Sequence, residues 1–198
     1  HLRNRRQRQM CIRDRLLCRL YELDNGKILI NNILINEINL HEYRKKIGYV
    51  PQDVFLFSDT IKNNIAFGLE EKELDFDQVK ESAKSAGLIS EIEKFKDSFE
   101  TKIGERGVTL SGGQKQRISI ARALVRKPQL LIFDDCLSAV DAETSKRIQE
   151  NLHKKENAKI AIYISHKISN LSDCDRILVL EDGSITEEGS HNALLKNK

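Results

Sequence analysis

The chain has 198 residues, 39% of them apolar and 32% charged, and a net charge of +3. This length supports one domain with a real core, and no apolar run approaches the roughly 20 residues that a membrane helix needs. No apolar stretch follows the N-terminus, so no secretory leader is expected. Four cysteines, Cys11, Cys18, Cys136 and Cys174, lack metal-ligand spacing and are expected as reduced thiols. The net charge conceals a break. His1 to Arg19 carries seven arginines, one aspartate and no lysine, a charge of +6, which leaves −3 for a remainder rich in lysine. A basic arm for nucleic acid or an anionic surface is one reading. The abrupt change in basic-residue usage favours the other, a non-native or disordered junction over residues 1–15, with no nucleic-acid partner.

In chain order, Leu16 to Leu20 reads as the end of a helix, and Asn25-Gly26 as a turn. Lys27 to Ile35 is β-branched and interrupted by Asn31-Asn32, which predicts a hairpin. Ile47 to Val50 is a short strand closed by Pro51. Thr60 caps a helix to Phe67, and Phe76 to Ala86 is a periodic helix ended by Gly87. Asp97 to Val108 reads as a polar loop. Ser111 to Arg126 is a long helix stopped before Pro128. Leu130 to Asp134 and Lys159 to Ile164 are continuous apolar runs, expected as strands buried on both faces, with a helix from Glu143 to His153 between them. Arg176 to Leu180 and Ser184 to Glu188 flank Asp182-Gly183, a second hairpin. Ser190 to Lys196 is a terminal helix. Alternating strands and helices predict an α/β fold with a parallel sheet.

Two segments carry chemistry. Leu110 to Arg117 read Leu-Ser-Gly-Gly-Gln-Lys-Gln-Arg. Small residues at a helix start offer backbone N–H groups and the positive dipole end to a phosphate. Leu130 to Asp135 read Leu-Leu-Ile-Phe-Asp-Asp, and carboxylates at the end of a buried strand can hold magnesium. Together these segments resemble the signature motif and Walker B strand of ATP-binding cassette (ABC) ATPases, and the likeness runs from about Arg19 to the C-terminus. It implies a P-loop NTPase-like core over residues 16–198, with an inserted helical subdomain at about 64–127.

The resemblance also implies roles. Gln52, in Tyr49-Val50-Pro51-Gln52, matches the Q-loop glutamine that touches magnesium. Ser111, Gly112, Gly113 and Gln114 match the signature that covers ATP bound to an opposing subunit. Asp134 matches the magnesium-holding aspartate, Asp141 the D-loop residue that links two sites, and His166 the switch histidine that bonds the γ-phosphate. Asp135 stands where the family carries a water-polarising glutamate. Aspartate is one methylene shorter, and a misplacement of about an ångström can cost ~100-fold in rate. Asp134 to Asp141 thereby resembles the weak-site half of heterodimeric exporters. His1, His41, His153 and His191 are expected at the surface.

Thr101 to Gly107 resembles the exporter loop that contacts transmembrane domains. The implied assembly is an exporter half with ATP and Mg2+ as cofactors. Its implied partners are membrane domains and a second ATP-binding domain, and its place is the cytoplasmic face of a membrane. A soluble relative acting on DNA or ribosomes is the alternative, which that loop disfavours. The family's phosphate loop is not evident. Counted back from Arg19-Leu20-Tyr21, its lysine falls at Met10, its glycines at Asn4 and Gln9, and its hydroxyl pair at Cys11 and Ile12. None supplies the glycine-lysine-hydroxyl chemistry that cradles phosphates. The N-terminal part of the fold is therefore expected to be incomplete and the chain inactive alone. A binding-only fragment that lends its signature to a partner's ATP stays open.

Overall fold

The structure is a computed structural model that describes residues 15–70, 75–104, 108–154 and 158–196. Residues 1–14, which hold the positions expected for the phosphate loop and nearly all of the expected junction, lie outside them. A helical turn at 15–17 opens the described chain. It is pinned to helix α1 (Leu40–Lys45) by side chains: Tyr43 Oη donates to the Leu17 carbonyl at 2.9 Å, and Arg44 Nε to the Cys18 carbonyl at 3.2 Å.

Strands β1 (Leu29–Ile30) and β2 (Ile33–Leu34) form the expected hairpin. Asn31 and Asn32 both sit at positive φ, 51° and 65°, the conformation of a two-residue turn that follows strand twist. The central sheet is parallel, in the order β3 (Ile47–Val50), β4 (Leu130–Asp134), β5 (Ile160–Ile164). Strands β6 (Ile177–Glu181) and β7 (Ser184–Gly189) pair as a separate hairpin turned by Asp182-Gly183.

Between β3 and β4 the chain builds a helical layer from α2 (Ile61–Ala66), α3 (Phe76–Ser85), α4 (Ile89–Ile92) and α5 (Gly112–Leu124). Thr60 caps α2 as expected, accepting from the Asn63 N–H at 3.0 Å. Apolar residues of this layer and of the sheet merge into one core, with Ile65, Val79, Ile120 and Val50 fully buried. Helix α6 (Ala142–Lys154) packs against α3 and adds Ile148 to the core, and α7 (His191–Lys196) closes the described chain.

Two expectations need correction. The run Ile160 to Ile164 does form a strand, but β5 is not buried on both faces, and Ile160 is 60% exposed. Among the described residues β5 pairs with β4 alone. Beside it lies a cleft of about 720 Å³, lined by Ile162, Ile164, Leu178 and Leu180 among others. The stretch Asp97 to Val108 is more than a polar loop. A short 3-10 turn at Ser98–Glu100 buries Phe99, Thr101 and Ile103 are buried, and Lys102 bridges to Thr60. Burial alternates along it because the Ile61 N–H donates to the Thr101 carbonyl and the Ile103 N–H to the Asp59 carbonyl, both at 3.0 Å.

One glycine sets how α5 meets the sheet. A Cβ at Gly48 of β3 would lie 2.9 Å from the Ala123 carbonyl oxygen, 2.9 Å from Pro128 Cγ and 2.7 Å from Leu131 Cδ2. Helix backbone and proline cannot both yield. Gly48→Ala is therefore expected to lower stability by about 1–3 kcal/mol, the usual cost of overpacking. Urea unfolding checks this, and an unchanged midpoint refutes it.

Candidate functional site

The carboxyl ends of the three parallel strands lie side by side. Register pairs Val50 with Phe133 and Asp134 with Ile164. The chain therefore leaves the sheet along one edge as Pro51-Gln52, as Asp135-Cys136 and as Ser165-His166. Adjacent strands are about 4.8 Å apart, so these exits fall within about 10 Å. Ligands of open α/β sheets bind at this edge.

Asp134 ends β4 and is only 6% exposed. The Tyr49 hydroxyl of the neighbouring strand donates to its Oδ2 at 3.3 Å. Burial pushes the Asp134 carboxyl above the usual carboxylate range. The Tyr49 hydrogen bond opposes this, the charge of Asp135 adds to it, and Arg15 and His166 oppose it. His166 is exposed, near enough to act on Asp134 through its charge. Asp135 leaves the strand with φ 42°, a left-handed conformation that aspartate tolerates better than most residues. Its N–H donates to the Ile164 carbonyl at 2.8 Å, and the Ser138 hydroxyl donates to its own carbonyl at 2.7 Å. The backbone is thus held, while Oδ1 of Asp135 is buried with no hydrogen-bond partner. Cys136 beside it is buried, and burial raises its thiol far out of reach of ionisation.

Ser111 caps α5 in a reciprocal box. Its hydroxyl accepts from the Gln114 N–H at 3.2 Å, and Gln114 Oε1 accepts from the Ser111 N–H at 2.8 Å. Gln114 Nε2 then donates to Glu91 Oε2 at 3.0 Å, and Glu91 Oε1 pairs with buried Arg117 at 2.5 Å. The Gln114 side chain is therefore committed within the chain, and it shapes the helix start. A Cβ at Gly113 would lie 3.1 Å from the Ala139 carbonyl oxygen, so the start of α5 abuts the segment after β4. Gly112 is exposed, and a Cβ there would meet nothing within 4 Å.

Asp141 caps α6, with Oδ1 accepting from the Thr144 N–H at 2.9 Å. That bond and one to the Thr144 side chain hold its carboxyl below the usual range. Lys167 Nζ donates to the Ser138 carbonyl at 3.0 Å, which ties the His166 segment to the Asp141 segment. In the loop expected at Thr101–Gly107, residues 105–107 lie outside the described ones. Gly104, at φ 109°, packs on Ser58, where a Cβ would come within 2.5 Å of the hydroxyl. His41 is exposed as expected, whereas His191 is half-buried; His1 and the His153 side chain lie outside the described residues.

The sequence reading missed four polar residues that organise this region: Tyr49, Glu91, Asn64 and Arg122. Asn64 is fully buried on α2. Its amide bonds the Phe57 N–H and carbonyl and the Thr60 carbonyl, at 2.9, 3.0 and 3.0 Å. Its signal was an asparagine among apolar neighbours on the inward face of a predicted helix.

Because folded Asp134 holds its proton at pH values where the unfolded chain has lost it, this carboxyl removes stability as pH rises from the ordinary carboxylate range through its raised value. Tyr49→Phe deletes a donor to the ionised form. The Asp134 titration should then move further upward and the loss of stability extend to higher pH. Carboxyl-carbon NMR titration checks this, and an unmoved or lowered Asp134 midpoint refutes it.

The model of the ABC transporter family matches residues 15–138. The chain is 48% identical over 182 residues to the putative export ATP-binding/permease protein RC1073 of Rickettsia conorii, which covers 92% of this chain and 31% of that protein. It is 45% identical over 180 residues to the uncharacterized ABC transporter ATP-binding protein YfiB of Bacillus subtilis, with 91% and 31% covered. A solved bacterial Atm1-family ABC exporter with ATP bound matches 95% of this chain and 33% of its own, at a TM-score of 0.88 and 39% identity. The chain spans about a third of the length of these relatives. With the strand-edge acids, the capped glycine start of α5 and the sheet order all in place, the chain belongs to the ABC transporter family and has the fold of its ATPase domain.

Proposed function

We propose that this chain is the ATP-binding domain of an ABC exporter, which couples ATP binding and hydrolysis to movement of a substrate across a membrane. The observation that carries the reading is the gathering of Gln52, Asp134, Asp135 and His166 at one sheet edge, with the signature start packed on the segment that follows β4. A relative of known structure holds ATP.

The residues present suit magnesium. The donors are all oxygen, two carboxylates and an amide, and Asp135 Oδ1 is buried without a partner. Asp134 and Gln52 would hold the ion. Bound there, magnesium neutralises charge on the phosphates of ATP. Asp135 orients and polarises the attacking water, and His166 donates to the terminal phosphate. Ser111, Gly112 and Gly113 present helix N–H groups to ATP held by a second domain. Among the described residues nothing lies within 4 Å of a Cβ at Gly112, which suits close approach by a ligand from outside. Asp141, fixed as a cap beside Ala139, lies where the two domains would meet.

The partners in this reading are a second ATP-binding domain, in a heterodimer whose weaker site includes Asp135, and membrane domains. Membrane contact is assigned to the Thr101–Gly107 loop, seated on Ser58 through Gly104. The nearby rings of Phe55 and Phe67 are 68% and 53% exposed and extend an apolar surface there. Such a domain works at the cytoplasmic face; no described helix is long and apolar enough to cross a membrane.

The test uses the whole transporter in vesicles, with hydrolysis and substrate movement both followed. With a glycine-lysine phosphate loop restored ahead of Arg19 and the partner's site disabled, Asp134→Asn is expected to abolish the remaining hydrolysis, and unaltered hydrolysis in that background overturns the reading. With that loop restored and the partner's site disabled, Asp135→Glu is expected to raise turnover at this site by about 10- to 100-fold. The same change should cost up to about 1 kcal/mol in stability, because φ at 135 is left-handed. Unchanged turnover sinks the account of Asp135.

A further inference from the structure

Helix α5 grips the segment that follows β3 at two places of different strength. At the far place, Arg122 donates Nη1 to the Phe55 carbonyl at 2.9 Å, Nε to the Asn64 carbonyl at 2.8 Å and Nη2 to Asn64 Oδ1 at 3.0 Å. Its guanidinium also lies 5.8 and 5.4 Å from the ring centres of Phe57 and Phe67. At the near place stands Gln116, buried at 7% exposure, whose Nε2 donates to the backbone carbonyl of Gln52 at 2.6 Å. Oε1 of Gln116 is buried and has no hydrogen-bond partner. Its amide cannot turn over, because Oε1 would then face the Gln52 carbonyl oxygen.

The segment between these grips has little else to place it. Val50 is fully buried in the β3 ladder, and Pro51 restricts the next φ. Gln52 to Leu56 lies in neither helix nor strand. The Gln52 side chain is exposed, so its position follows from its backbone. The Phe55 end is held by one charged hydrogen bond, from a guanidinium that two bonds to Asn64 and the rings of Phe57 and Phe67 fix in place. The Gln52 end is held by one neutral amide bond.

We propose that Gln116 is the positioning residue for Gln52: through the residue 52 carbonyl it sets where the Gln52 side chain stands at the sheet edge, and it makes that placement depend on the position of the signature helix. The role rests on the nucleotide-site reading for its purpose, but the bond itself does not. Gln116 and the signature start at Ser111 share α5. A shift of that helix relative to the sheet loads the single Gln116–Gln52 bond before the Arg122 clamp. The capped helix start and Gln52 therefore respond together.

Two measurements test this. In the full chain, Gln116→Leu keeps side-chain bulk and deletes both the donor and the orphan acceptor. Backbone order parameters of residues 52–56 are expected to fall from the rigid range of about 0.85 to below about 0.6, with those of 57–66 and the thermal midpoint unchanged. Gln116→Glu, which sets a carboxylate against the Gln52 carbonyl, should exceed that effect. Unaltered order parameters at 52–56, or lower ones throughout the chain, overturn the proposal.

In the whole transporter, a cycle with Gln52→Ala separates positioning from packing. If Gln116 acts through the Gln52 side chain, Gln116→Leu lowers kcat on its own and has no further effect once Gln52 is alanine. Fully multiplicative losses overturn the proposal. A parent transporter that hydrolyses no ATP defeats the functional reading instead, and the order parameters still decide whether Gln116 holds the loop.

Discussion

The close approach of helix α5 to strand β3 at Gly48 is the constraint on which the rest of the site depends. The Ala123 carbonyl lies where a Cβ of residue 48 would point. That contact fixes the C-terminal end of α5 on the sheet. At about 1.5 Å per residue, it also fixes how far beyond the sheet the helix start is carried. Everything that α5 positions follows: Ser111 and the glycines at its start, Arg117 toward Glu91, Gln116 toward Gln52 and Arg122 toward Asn64. A signature helix standing further from the sheet could not reach the Gln52 carbonyl at all.

A second constraint is electrostatic. Two adjacent carboxylates close a buried strand, one of them with a left-handed backbone and a buried oxygen that lacks a partner. Burial works against ionising Asp134, and the Tyr49 hydroxyl only partly offsets it. Such an arrangement is unfavourable in isolation, and a bound cation would relieve it. The free energy lost there is supplied elsewhere, by the apolar core that joins sheet and helical layer. The exposed histidine and the ends of the neighbouring strands leave the same edge open to an approaching ligand.

Much of the local structure was legible in the sequence. Asn31-Asn32 and Asp182-Gly183 were readable as turns, Thr60 as a cap and Ser111 as a helix start, because each acts on backbone groups within three residues. The strand carrying Asp134 and the glycine-started helix were readable for the same reason. Burial was less so. Ile160 to Ile164 has the apolar continuity of a strand covered on both faces, yet cover depends on what lies alongside, and β5 borders a cleft. The residues of Asp97 to Val108 looked solvated by composition, but pairing with Asp59 to Ile61 buries alternate side chains.

The sequence by itself determined which chemical groups are available and what each stretch of backbone prefers: a capped helix start with small residues, two acids after an apolar strand, a glutamine after a proline, a histidine after another strand. Helix, strand and turn preferences are set by neighbours a few residues away, so they survive reading in one dimension. Only the tertiary structure decided which groups meet. Tyr49 reaches Asp134 across 85 positions of sequence, Gln116 reaches Gln52 across 64, and Gln114 reaches Glu91 across 23. Those contacts exist because β3 pairs with β4 and α5 docks on the sheet and on α4, which brings distant backbone together, and no local pattern encodes the distance between two elements that have yet to dock.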